Sequence, residues 1–281
     1  MDVRADHLAL IGRGYLRHSL RSGAGVVFLV LAMIAGIGLA AAAIAPVELA
    51  QKTGETFGKA EVGERAEHEI ATYGPKVLSA FTDADANQAD YLLHDKPALA
   101  SLFLVMLVAF LPFLVALSGF NQTAGDIGSK GLRYLLLRTE RSNIFLGRLI
   151  GTYVFVLAVL ATIVAVVALY LAVKVPFYSA GAVVTWMLHG FVACAIYAMP
   201  WTALCALVSG LLASPMLALA VLEIGTIVWM VVVYAIGTSA PAVAAYAAYL
   251  APIGWKWWLF DPSIAKVLAK RGAAILVNDL E

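Results

Sequence analysis

The chain predicts an all-α protein, a polytopic membrane helical bundle of five to six spans. Three observations carry that class. Of its 281 residues, 62% are hydrophobic and 13% charged, against about 25% charged in a soluble domain. Mean hydropathy is +0.89. The apolar residues also fall in runs of about 20, the length a helix needs to cross a bilayer. The net charge of +1 gives no bulk attraction for a polyanion, so no nucleic-acid partner is expected.

The elements follow in order. Residues 1–22 carry Arg4, Arg13, Arg17 and Arg21 against Asp2 and Asp6. They predict an amphipathic helix lying in the membrane interface. The apolar run after them is long enough to span, so they are not read as a cleavable signal. Spans are expected at 23–45, 98–118, 149–173, 183–212 and 215–236. A sixth apolar stretch, 240–255, is interrupted by Pro241 and Pro252. It is short enough to cross, re-enter or lie on the outer surface. The whole chain, 1–281, reads as one transmembrane domain.

Charge orients it. Loop 46–97 holds ten acids (Glu48, Glu55, Glu61, Glu64, Glu67, Glu69, Asp83, Asp85, Asp90, Asp95) and five bases (Lys52, Lys59, Arg65, Lys76, Lys96). Loop 119–148 reverses the bias, with Lys130, Arg133, Arg138, Arg141 and Arg148 against Asp126 and Glu140. The positive-inside rule puts the N-terminus and 119–148 in the cytoplasm and 46–97 outside. The expected location is the inner (cytoplasmic) membrane. Helix formers over 50–72 and 75–93, broken at Gly74-Pro75, predict a small extracytoplasmic helical cap. A charge in hydrocarbon costs roughly 2.5–3.5 kcal/mol or more, so 119–148 is expected to be aqueous throughout.

Little in the chain looks catalytic. The string Gly54-Glu-Thr-Phe-Gly58-Lys59-Ala60 is one residue short of a phosphate-binding loop. It also has alanine where the magnesium ligand belongs. No cofactor is expected in this chain, and no metal. Cys194 and Cys205 sit eleven residues apart on one apolar segment. A helix separates them by about 16 Å, too far for a disulfide. Glu223 is the acid well inside a span, and an intramembrane acid is either a polar lining of a translocation path or a protonated packing group. Ala32, Gly36 and Ala40 allow close helix approach, within the chain or between copies.

Loop 119–148 resembles the cytoplasmic loop of ABC-2 type transporter permeases. The likeness rests on Asp126, Lys130-Gly131-Leu132, Leu135-Leu136, Arg141-Ser142 and Gly147-Arg148. Arg138-Thr139-Glu140 departs from the family's proline-containing element, and the sixth span is short. The resemblance implies a permease subunit of an ATP-binding-cassette exporter, not itself an enzyme. Two permease copies, or one and a relative, would pair with cytoplasmic ATP-binding subunits that hold the ATP and magnesium. Segment 126–142 would be the coupling helix. Asp126, Lys130, Arg133, Arg138 and Arg141 would face the ATPase, and Leu135 and Leu136 would anchor it. Glu223 would line the path, and membrane lipids surround the whole. The alternatives are a secondary transporter or a membrane-embedded enzyme. The first usually shows several intramembrane charges, and the second needs a convergent acid, base and nucleophile.

Overall fold

The structure, a computed structural model, describes residues 5–21, 23–54, 91–93, 96–131, 136–137, 139–175 and 178–239, and residues 68, 72 and 74. These residues are helical with short turns, and no strand occurs among them. In chain order the helices are α1 (Ala5–Arg21), α2 (Gly23–Gly54), α3 (Ala98–Gly119), α4 (Ala124–Gly128), α5 (Arg141–Lys174), α6 (Ala180–Leu211) and α7 (Pro215–Ser239).

Three of them, α3, α5 and α6, are long and apolar enough to cross a membrane, and the bent pair α1–α2 makes a fourth if taken as one span. That is three to four candidates among the described residues, against an expectation of five to six. Helix α7 is apolar over Pro215–Trp229, a stretch shorter than a span, though the helix runs on to Ser239. The segment 240–255 and the chain after it lie outside the described residues, as does most of the cap.

Two boundaries differ from the sequence expectation. Helix α2 runs on through Pro46 to Gly54. Proline is tolerated in a membrane helix where neighbours take up the freed backbone group. Helix α5 begins at Arg141, eight residues before the expected span, after an extended Glu140 (φ −70°, ψ 153°). At 34 residues it is about 51 Å long, well over a hydrocarbon core of about 30 Å. The basic start of α5 can therefore project past the bilayer while the helix stays continuous.

Helix α5 is the hub. It packs on α1, α2 and α6, while α3 packs on α6. Val156, Val159 and Leu160 of α5 are buried in one apolar cluster with Leu104, Leu111 and Val115 of α3 and Cys194 and Tyr197 of α6. Both cysteines are free thiols. The stripe of Ala32, Gly36 and Ala40 is buried, and a Cβ on Gly36 would lie 3.2 Å from Ile163 of α5. The small residues serve packing within the chain. Between lipid-bathed helices there is no hydrophobic drive, so close approach and dispersion do that work. The outward faces are apolar, as at Val27, Ile34, Leu169, Leu188, Met199 and Ile224, all exposed.

Candidate functional site

The two ends of the bundle differ. At the end bearing loop 119–148, three span ends grip one short backbone turn. Helix α3 stops at Gly119, and the chain reverses through Asn121–Thr123 into the single turn of α4. Four N–H groups at a helix start have no partner within the helix. Here Ser209, near the end of α6, accepts from the N–H of Thr123 (2.8 Å) and of Ala124 (3.0 Å) through its Oγ. The Ser209 side chain is fully buried, so this cap is shielded from water.

Arg148 on α5 makes the second grip. Its guanidinium donates to the carbonyl of Gln122 at 2.8 Å and is paired with the carboxylate of Asp126. Arg148 is only 7% exposed. An unpaired cation there would be expelled by its desolvation cost. The pair and the carbonyl together hold it. This corrects the expectation of an aqueous loop through 148. The charge is interior, and its neutralising partner lies 22 residues earlier in the chain. It also changes what Asp126 can do, because its carboxylate is engaged within the chain.

The third grip is steric. A Cβ on Gly128, the last residue of α4, would fall 2.5 Å from the carbonyl oxygen of Ala213. Helix α4 thus rests on the backbone of the α6–α7 turn, and only glycine permits that approach.

Helix α1 closes the same end. A Cβ on Gly151 would meet the Gly12 carbonyl at 2.8 Å, and one on Gly147 would meet Ile11 at 2.8 Å. The two helices cross backbone to backbone at these glycines. His7 Nδ1 lies 3.2 Å from the Thr139 hydroxyl, which also accepts from Asn143 at 3.4 Å. Helix α1 is thereby tied to the far end of the loop as well. Burial pushes the Tyr15 phenol above its ordinary range, so at neutral pH it is an uncharged hydrogen-bonding group.

Beyond α4 the loop turns outward. Lys130 is exposed and left-handed at φ 59°, a conformation uncommon outside glycine. Helix therefore does not run unbroken across 126–142. It breaks at the turn 129–131, Leu136 is helical again, and α5 begins at Arg141. Leu136 is half-buried, Leu137 is 84% exposed, and Arg141 is exposed at the tip of α5. Arg133, Leu135 and Arg138, with Leu132 and Tyr134, lie outside the described residues.

Glu223 sits half-buried on α7. At the opposite end of the bundle Trp186 donates to Ser101 at 2.9 Å. It also stacks on His189 (centroids 5.2 Å, planes 8° apart). The Lys96 ammonium lies 5.3 Å from the Tyr91 ring centre and 5.4 Å from that of Trp186. That is within cation–π range.

Sequence reasoning picked out Asp126, Lys130 and Arg141 and missed Arg148, Gln122, Ser209 and Leu137 as working residues. Arg148 carried one usable signal, as the basic residue nearest the apolar run. A serine within an apolar helix, or a glutamine in a polar turn, carried none. No family model matches the chain, and no curated protein matches it.

Proposed function

We propose that the chain is the membrane-spanning permease subunit of an ATP-binding-cassette transporter of the ABC-2 type, working as an exporter. The observation that supports this best is mechanical. The loop 119–148 carries an exposed basic and apolar tip at Lys130, Leu137 and Arg141. Its base is fastened to α5 through Arg148, to α6 through Ser209 and to the α6–α7 turn at Gly128. A push on such a tip reaches several spans at once, which is what a loop that couples an ATPase to a membrane path must do. Asp126 serves in this reading as an internal strut. The groups offered to the ATPase in this reading are Lys130, Arg133, Arg138 and Arg141, with leucines 135–137 as the apolar anchor.

The partner is a cytoplasmic ATP-binding subunit that supplies ATP hydrolysis and magnesium. A second permease copy, or a relative, completes the unit. The N-terminus and the loop face the cytoplasm, and α2 and α7 cross the inner membrane as further spans, giving five or, with 240–255, six. Glu223 lines the path.

A photo-reactive residue at Leu137 in the full chain, activated in native membranes, is the direct test. A P-loop ATPase is the expected adduct, and the triple variant R133E/R138E/R141E is expected to lose it while keeping its fold. A triple variant that retains the ATPase removes the coupling role. A cysteine at Ser129 that reacts with an impermeant reagent on intact cells overturns the orientation. Glu223→Gln is expected to uncouple ATP hydrolysis from transport in the assembled complex, with assembly itself unchanged.

A further inference from the structure

Helix α1 presents two unlike sides. Leu8, Ile11, Gly12 and Tyr15 stand against Gly147 and Gly151 of α5, at the spacing that gathers residues on one side of a helix. Arg13, Arg17 and Arg21 recur every fourth residue, so they stack as a second row about 12 Å long. At about 3.6 residues per turn, the two rows lie roughly half a turn apart. The arginines therefore point away from the bundle. All three are exposed, and none has an ion-pair partner among the described residues. The acid of α1, Asp6, precedes Arg13 by about 10 Å along the helix.

The crossing also fixes the depth of the row. Gly147 and Gly151 flank Leu149, where the apolar run of α5 begins. That is the boundary of the hydrocarbon core, the level of the phospholipid head groups. Helix α1 bends 68° from the start of α2, so it lies nearer the membrane plane than the normal. Its side opposite α5 then looks sideways, into the surrounding head-group layer. Leu10 and Leu20, 75% and 37% exposed, flank the row. Leucines beside arginines suit the layer where head groups meet acyl chains. A protein docking from the cytoplasm would approach along the normal, whereas this row faces lipid.

We infer that Arg13, Arg17 and Arg21 bind the phosphates of anionic phospholipids packed around this end of the bundle, selecting them by charge and not by head-group shape. The site rests on the membrane reading of the chain and is independent of the transport reading. It gives α1 a second hold, on the bilayer, besides its hold on α5.

The test uses the purified full-length chain in nanodiscs of mixed phosphatidylglycerol and phosphatidylcholine with matched acyl chains. Native mass spectrometry reads the lipids that stay bound. Phosphatidylglycerol is expected to be enriched, and the enrichment to fade in high salt. Arg17→Gln is expected to reduce it about fivefold. The triple variant R13Q/R17Q/R21Q is expected to reduce it about tenfold or more, with its unfolding temperature kept, because the row lies away from the α5 contact. Should the triple variant fail to fold, Arg17→Gln alone decides. Lysine at all three positions is expected to restore the preference. Lys174→Gln removes an exposed cation at the opposite end of α5 and is expected to bind like the parent. Equal retention of the two lipids, or a preference that Arg17→Gln leaves intact, overturns the proposal. A triple variant that keeps its lipid preference but loses a cytoplasmic ATPase in a pull-down assigns the row to protein and overturns it too.

Discussion

Arg148 and Asp126 form an ion pair inside the end of the bundle, although 22 residues and a helix boundary separate them in the chain. The pair converts a loop into part of the α5 framework. Its arginine is nearly inaccessible, whereas the aspartate side chain is 42% exposed. The pair is therefore half open to water on one side only, and its two members are not equivalent to mutation.

Arg148→Met leaves Asp126 next to water, where it can rehydrate. Asp126→Asn leaves a buried guanidinium without its counter-charge, the costlier outcome. Breaking a buried pair from one side costs about 3–5 kcal/mol. The Asp126→Asn chain is expected near that range and the Arg148→Met chain below it, measured as thermal unfolding in detergent. The double variant is expected to recover part of the loss. Equal destabilisation by both single variants would contradict the asymmetry.

Ser209→Ala removes the acceptor for two backbone N–H groups at once. The loss of one such cap is typically about 1 kcal/mol. Because the site is local, hydrogen exchange is the sharper measurement. Amides of 123–127 are expected to exchange faster, with the centres of α3 and α5 unchanged.

The crossing of α1 over α5 predicts opposite results at two glycines of the same neighbourhood. Gly151→Ala drives a methyl group toward the Gly12 carbonyl and is expected to speed amide exchange throughout α1. Gly14→Ala meets open space and gains helix propensity worth about 1 kcal/mol. It is expected to leave α1 docked and slow its exchange. Similar behaviour of the two variants would mean that the helices do not touch at those positions.

Lys130 holds a left-handed backbone at φ 59°, which costs a residue with a Cβ about 1–2 kcal/mol. Lys130→Gly is expected to raise the unfolding temperature, and Lys130→Val to lower it. A glycine variant less stable than the parent would show that the lysine side chain, not the backbone, sets this position.

Most of the helical framework could be read from the sequence, because hydropathy reports burial in lipid directly. The spans at 98–118 and 183–212 lie within three residues of α3 and α6 at each end. The start of α5 could not be read. Arg141 and Arg148 looked like loop charges, since one-dimensional hydropathy has no term for a partner elsewhere in the chain. Only the folded geometry sets Asp126 against Arg148. Ser209 was hidden for the same reason, as a small polar residue in a small-residue helix. Leu137 was passed over in favour of Leu135 and Leu136, because a run of three leucines gives no phase without knowing where the helix stops.

The clusters at the two extremities of the molecule differ in how they tolerate displacement. Hydrogen bonds and ion pairs like those of Ser209 and Arg148 weaken steeply once donor and acceptor slide or tilt. The contacts of Lys96, Tyr91, Trp186 and His189 decline gently, since rings can glide across one another at little loss. If the long helices rock during a working cycle, the fulcrum belongs beside Arg148, and the compliance belongs at the tryptophan.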